Sequence, residues 1–237
     1  MNGTVAPIRE AHNPEVGGSK RDGHPALLSL FCVNTMQMGL CSGREARIHA
    51  HICGDGHLYV EEGERGKRYI VEYTNTRTEL VNEFICDAVS EYKASPTVIR
   101  HKGTFIARFK SKYAFNRLKQ LGAGKSREWR APLQIFYAED YKTTVSLIRN
   151  WLRAFFDDEA YIDVSTRRIS VTSVNYYGLL DVKDMLNYLN IDCKVYAIMK
   201  GYAYRLVVSG KANISKFVSN IVLLHPLKMS RLKQILS

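Results

Sequence analysis

The chain lacks most of what marks secreted, membrane-bound or zinc-stapled proteins. Its five cysteines, Cys32, Cys41, Cys53, Cys86 and Cys193, are scattered, odd in number and form no CxxC pair. A disulfide framework is therefore not expected, and a reducing compartment fits. No run approaches the roughly 18 apolar residues of a membrane helix, and the N-terminus lacks the basic-then-apolar plan of a secretion signal. The expectation is a soluble cytoplasmic or nucleoid-associated protein with no membrane partner. No Ser, His and Asp grouping with elbow glycines is visible, so a serine-nucleophile hydrolase has no footing. Acid is also short, with 23 Asp and Glu against 34 Lys and Arg, and the resulting net charge of +11 favours a polyanionic partner.

What is present is enough to build a core. At 237 residues and 46% hydrophobic content, the chain can bury one large or two small domains. Charge is spread in a telling way. Residues 1–40 are neutral, with three basic and three acidic side chains; residues 41–136 carry 17 basic and 11 acidic, and residues 137–237 carry 14 and 9. Two successive segments are thus basic to a similar degree, at +6 and +5.

The same two segments share a motif. IHAHICGDG at Ile48 to Gly56 and LRAFFDDEA at Leu152 to Ala160 are both apolar helical stretches with small residues inside, each with a carboxylate at its eighth position. Those acids, Asp55 and Glu159, lie 104 positions apart, and Lys125 and Lys228, in later basic stretches, lie 103 apart. The chain reads as two copies of one unit.

Turn and periodicity signals give the unit its layout. Ser42 with Glu45 three residues on forms a capping-box pattern that starts the first motif helix. Two hairpins with a helix between them follow, at His57–Glu62 with Tyr69–Thr76 and at Thr97–His101 with Thr104–Phe109, then a helix from Ser111 to Leu121. The second copy repeats the order and ends in a helix from Lys228 to Leu236. The fold class expected is α+β, two pseudo-symmetric αββαββα repeats, with an N-terminal extension at 1–41, repeats at 42–134 and 143–237, and a linker at 135–142. Within the extension, a short helix is expected from Pro25.

Small residues spaced one turn apart, Ala50 with Gly54 and Ala154 with Asp158, let two motif helices approach closely and bring Asp55 and Glu159 together. Carboxylates at the negative ends of helix dipoles attract a divalent cation, and oxygen ligands suit Mg²⁺. His49, His51 and Cys53 raise the alternative of a soft metal site, but only His49 and Cys53 share a helical face and no second pair lies nearby, so zinc is set aside.

The two motifs, together with YRLVVSGKANISKF and LLHPLK in the second copy, resemble the LAGLIDADG homing endonucleases of the two-repeat, single-chain type, from about Ser42 to the C-terminus. The first copy departs from the family pattern at His49, His51 and Cys53, and the second at Asp158 and Ala160. The resemblance implies two saddle-shaped antiparallel sheets with motif helices packed between the repeats. It implies that Asp55 and Glu159 are the catalytic, metal-binding acids, with the backbone carbonyls of Gly54 and Asp158 as further ligands and Lys125 and Lys228 as flanking basic residues. The activity implied is Mg²⁺-dependent double-strand DNA cleavage by a monomer at a long site, with Mn²⁺ or Ca²⁺ able to substitute for binding.

Period-two alternation assigns the DNA face of each sheet. In the second repeat the outward set is Tyr161, Asp163, Ser165, Arg168, Ser170 and Thr172, with Lys194, Tyr196 and Arg205. In the first it is His57, Tyr59, Glu61, Arg68, Glu72, Arg100 and Arg108. Mixed donors and acceptors suit base reading in the major groove, whereas phosphate binding alone would need only Lys and Arg. Two other functions stay open on the same scaffold: an RNA maturase with host intron RNA as partner, and a DNA-binding protein that does not cut. An intein is not expected, since the chain starts at Met1 without a nucleophilic splice residue and ends QILS without a His-Asn pair.

Overall fold

The computed structural model describes residues 41–64 and 66–237. The helix expected from Pro25, and all but Cys41 of the extension, lie outside the described residues. The first element, α1, spans Gly43–Cys53, and it starts there because Ser42 Oγ accepts from Glu45 N at 3.0 Å. The Glu45 side chain does not return to close the capping box. It turns to Arg117, which donates to it twice at 2.9 Å, and to the Tyr92 hydroxyl.

Strands β1 (Gly56–Gly63) and β2 (Gly66–Asn75) form the first hairpin, and helix α2 (Thr78–Tyr92) leads to the second, β3 (Thr97–His101) and β4 (Thr104–Lys110). Lys102 and Gly103, at φ 47° and 82°, supply the two left-handed residues that a tight hairpin needs. Helix α3 (Lys112–Gln120) is capped by Ser111 Oγ, which accepts from Ala114 N.

The second copy follows the same plan. Helix α4 (Tyr141–Glu159) is capped by Asp140, strands β5 (Tyr161–Asp163) and β6 (Arg168–Ser173) pair, and α5 (Tyr176–Tyr188) is capped by Asn175. Strands β7 (Lys194–Ile198) and β8 (Ala203–Ser209) then pair, and α6 (Lys211–Asn220) and α7 (Pro226–Leu236) close the chain. Each repeat holds a four-stranded antiparallel sheet, ordered β1-β2-β4-β3 and β5-β6-β8-β7. Among the described residues no helix is long and apolar enough to cross a membrane.

Alternation sorts the strands. Val71, Tyr73, Ala107 and Phe109 pack inward with Phe84 and Phe115 in the first repeat, and Ile162, Ile169, Val171, Leu206 and Val208 pack inward in the second. Helix α1 serves both cores, because its residues point two ways. Ile48 and Ile52 enter the first core, while Ala46, Ala50 and Cys53 join a cluster with Trp151, Leu152 and Phe155 of α4.

The repeats are joined by more than a loop. Trp129 is buried against Phe155 and Trp151, and its carbonyl accepts from Asn175 Nδ2. Asp181 accepts twice from Arg130 at 2.7 Å and once from Ala131 N at 3.0 Å. The chain therefore enters the second core at Trp129, ahead of the linker read at 135–142, where Ile135 is itself fully buried in a short 3-10 turn, Leu133–Tyr137.

Gly178 shows how tight this joint is. A Cβ there would meet the Trp129 ring at 2.5 Å and Asn175 Nδ2 at 2.8 Å. Gly178→Ala is expected to destabilise the chain by about 1–3 kcal/mol through overpacking. Urea unfolding checks this; an unchanged midpoint would show that the Trp129 joint yields freely.

Candidate active site and nucleic-acid face

Helices α1 and α4 run side by side and touch through glycines at both ends. A Cβ on Gly43 would meet Asn150 at 3.2 Å, and one on Gly54 would meet the Asp158 Cβ at 2.9 Å. This contact brings the C-terminal ends of both helices to one place, with Asp55 just past α1 and Glu159 at the last residue of α4. Both acids are pushed above the ordinary carboxylate range. Asp55 still reaches solvent, yet crowding by protein and then the Asp158 charge raise it to about 6, against Lys228 and His51, which lower it. Glu159 rises to about 7, through burial first and then Asp55 and Asp158, opposed by Lys228. Asp55 and Asp158 both act on Glu159, so the three carboxylates belong to one anionic site.

Asp158 lies beneath them. Its side chain is fully buried in the position that Gly54 takes on α1, and its carboxylate is met from three directions. His51 Nδ1 stands 2.8 Å from Oδ2, the Tyr73 hydroxyl donates to Oδ1 at 2.6 Å, and Asn75 Nδ2 approaches Oδ1 at 3.3 Å. Burial alone would push His51 down, but Asp158 and Glu83, which lies 3.6 Å from Nε2, hold it up at about 9. His51 is therefore a buried cation at neutral pH. Arg153 completes the set, bridging Glu83 at 2.5 Å and Asp157 at 3.2 Å. The sequence pattern did not single out Tyr73, Asn75 or Glu83. The available signal was Asp158 itself, because a carboxylate on the apolar face of a packed helix requires donors around it.

The two lysines occupy different settings. Lys228 Nζ donates to the carbonyls of Phe156, Asp157 and Asp158 at 3.1, 2.6 and 2.9 Å, so it caps α4, and the burial that lowers its pKa is opposed by Asp158, Asp157, Asp55 and Glu159. Asp157 anchors the preceding loop by accepting from Leu224 N and His225 N. Lys125 instead sits exposed on a surface turn, where its carbonyl accepts from Glu128 N, and its charge does not act on either acid. The matched interval did not bring it to the site.

His49 and Cys53 touch at 3.5 Å, but His49 Nδ1 accepts from Trp151 Nε1 at 3.0 Å, and burial lowers its pKa to about 3. It is a neutral core residue. Among the described residues no three His, Cys, Asp or Glu side chains gather as a metal cage. The donor chemistry of Asp55 and Glu159 still fits a hard divalent cation, since two crowded oxygen acids repel one another and Mg²⁺ commonly completes its shell with water and phosphate oxygens. The Asp158 carbonyl, a further ligand in the expected set, is engaged by Lys228; the Gly54 carbonyl lies at the end of α1.

The outward sheet faces flank this site. Strand register puts His57, Tyr59, Glu61, Arg68, Glu72 and Arg108 on one face of the first sheet. Arg100 is on the other face: it pairs with Phe105, and its guanidinium lies over that ring at 5.5 Å. Its assignment is corrected accordingly. In the second sheet Tyr161, Asp163, Arg168, Ser170, Thr172, Lys194, Tyr196 and Arg205 share one face, and Ser165 on the β5–β6 turn donates to Asp163. Six of them line a groove of about 290 Å³ with Thr166 and Val207. Both faces set acids opposite arginines: Glu72, which accepts from the Tyr59 hydroxyl, lies opposite Arg108, and Asp163 lies opposite Arg168, while Arg205 donates to the Thr172 hydroxyl.

Residues 146–222 match the family model described as a LAGLIDADG-like domain. No curated protein matches the chain. Among solved structures, mesophilic variants of the homing endonuclease I-DmoI are similar at 19% identity over 76% of this chain and 95% of theirs, with a TM-score of 0.59. I-DmoI has also been solved in complex with DNA and Mn, and with DNA and Ca. The homing endonuclease I-WcaI bound to its DNA recognition sequence is similar at 16% identity over 93% of this chain and 95% of that one, with a TM-score of 0.55. Full-length DUF199/WhiA from Thermatoga maritima gives 13% identity over 85% and 62%, with a TM-score of 0.53. At these identities the likeness is one of fold.

The contrast between the lysines is measurable without any substrate. Lys228→Ala removes the donor that satisfies three terminal carbonyls of α4 and should cost about 1–2 kcal/mol of stability, whereas Lys125→Ala should stay within about 0.5 kcal/mol. Equal effects in thermal unfolding would remove the capping role.

Proposed function

We propose that this chain, which has the two-repeat LAGLIDADG fold, is a site-specific double-strand DNA endonuclease of the homing type, acting as a monomer with Mg²⁺ on one long target site. The observation that carries the reading is the meeting of Asp55 and Glu159. They come from equivalent positions in two repeats, Asp55 raises the Glu159 carboxyl, and each acid leads into the first strand of a sheet whose outward face mixes arginine with hydrogen-bonding side chains. The net charge of +11 supports a polyanionic partner such as DNA.

In this reading Asp55 and Glu159 hold the divalent ion, and Mn²⁺ or Ca²⁺ can take its place for binding. A bound ion of this kind supplies an activated water and neutralises charge on the phosphorane and leaving oxygen. The chain's own part is to fix the two carboxylates. Lys228 keeps the end of α4 rigid and offsets their repulsion, and the sheets set the register of the duplex so that the scissile phosphates face the helix ends. Arg168, Arg205 and Lys194 face outward, where arginine can take guanine edges and both residue types can take phosphates.

A binding-only protein on this scaffold is the second reading. It is favoured by Lys228, whose ammonium is already spent on three carbonyls and so is not free to act on water.

Incubating the chain with Mg²⁺ and the intron-less form of its host locus, then mapping the ends, separates the two. Asp55→Asn and Glu159→Gln should each abolish double-strand cutting while leaving affinity largely intact, and full cutting by either variant would show that the acids are misassigned. Sedimentation should find one chain per duplex site, with affinity falling steeply as salt rises; two chains per site would exclude the single-chain reading. Arg168→Ala should cost about 1–3 kcal/mol of binding and relax one or two base preferences, while Arg100→Ala, on the opposite face, should leave preferences unchanged.

A further inference from the structure

The Asn75 side-chain amide touches both Asp55 and Asp158. The Asn75 amide is oriented without ambiguity by its surroundings. Its oxygen accepts from Arg77 N at 3.0 Å, so its NH₂ must face the acids. That group donates to Asp55 Oδ2 at 2.9 Å and meets the Tyr73 oxygen at 3.0 Å and Asp158 Oδ1 at 3.3 Å. Tyr73 in turn gives its own proton to Asp158 at 2.6 Å. A chain of bonds therefore runs from a buried carboxylate on one motif helix to the exposed acid of the other.

Among the described residues the other repeat has no such chain of bonds at the equivalent positions. His57 and Tyr161 each lie two residues past their acid and pair with Glu72 and Ser170, so Tyr73 corresponds to Val171 and Asn75 to Ser173. By the motif positions, His51 corresponds to Phe155 and Asp158 to Gly54. Three donors surround Asp158, whereas the mirror-related positions hold a glycine in place of the acceptor and a phenylalanine and a valine in place of two donors. Donors and acceptor occur together on one side and are absent together on the other.

We propose that Asp158 is a positioning residue for Asp55: through Tyr73 and Asn75 it orders that carboxylate before a cation or DNA arrives, leaving Glu159 without an equivalent support. This rests on the assignment of Asp55 as a metal-holding acid. It makes Asp158 important through its side chain, separately from its backbone carbonyl.

The test uses the full chain on duplex DNA. Asp158→Asn keeps the shape, and the triple variant Asp158→Gly, His51→Phe, Tyr73→Val installs the residues that the mirror half already packs. The readouts are the Ca²⁺ midpoint of the DNA complex by calorimetry, the Asn75 side-chain amide signals by NMR, and the Mg²⁺ concentration for half-maximal cleavage. Expected are a shift of the Asn75 signals toward a solvent-exposed amide and an increase of about tenfold or more in both metal midpoints, at unchanged DNA affinity without metal. A folded variant with parental Ca²⁺ midpoint and Asn75 signals overturns the proposal. If neither variant folds, Asn75→Ala decides it, since this side chain is only half-buried; a parental Ca²⁺ midpoint there also overturns it. Should the parent fail to cut DNA at all, the endonuclease reading falls, while the Ca²⁺ and NMR readouts still decide the role of Asp158.

Discussion

The close approach of α1 and α4 is the constraint on which the rest depends. Helix backbones come together only where side chains are small, and Gly43, Ala46, Ala50, Gly54 and Ala154 supply that surface. Once the helices are in contact, their C-terminal ends, with the negative ends of two dipoles, necessarily sit side by side. Asp55, Asp158 and Glu159 add three carboxylates to that place. The molecule tolerates this concentration of negative charge by countering it from beneath and from the side. His51 is held protonated between Asp158 and Glu83, and Lys228 closes the end of α4. Burial first, and then the neighbouring carboxylates, raise the pKa values of Asp55 and Glu159.

The two-fold relation between the repeats is a property of the backbone more than of the charges. The sheets have the same strand order, and the motif helices end in equivalent acids. The supporting chemistry is one-sided. Lys228 has no counterpart at Lys125, and the His51, Tyr73 and Asn75 donors face Asp158 while the equivalent positions in the other repeat hold Phe155, Val171 and Ser173, with Gly54 in place of the acid. The outward faces differ too in their residues, with His57, Tyr59 and Glu72 grouped in one sheet and Tyr161, Ser170, Thr172 and Arg205 in the other. One backbone plan, carried by two different sequences, therefore gives two chemically unequal halves.

Much of this was legible in the sequence, and the places where it was not have definable causes. Alternation assigned the faces of β2, β5, β6 and β8 because each of these strands buries its inward residues, so apolar and polar residues had to alternate. It failed at Arg100 because β3 is exposed along its whole length, which leaves no burial signal from which to read parity; only the pairing across the Lys102-Gly103 turn decided the face. The interval between Lys125 and Lys228 was real, but an interval does not fix conformation. His225 caps a helix that begins at Pro226 and puts Lys228 in its first turn, aimed at α4. Lys125 follows Gly122, which has φ 111°, and lies in a turn.

The sequence by itself determined the repeat, the element order, the paired acids and the basic balance of both halves, because these are written in periodicity, capping residues and composition, all of which act over a few residues. Only the tertiary structure decided which groups surround those acids. Tyr73 reaches Asp158 across 85 positions, Lys228 reaches the α4 terminus across about 70, and Asn75 turns toward Asp55 only because Arg77 N holds its oxygen. Such contacts depend on the mutual placement of helices and strands in space, and no local pattern encodes that placement.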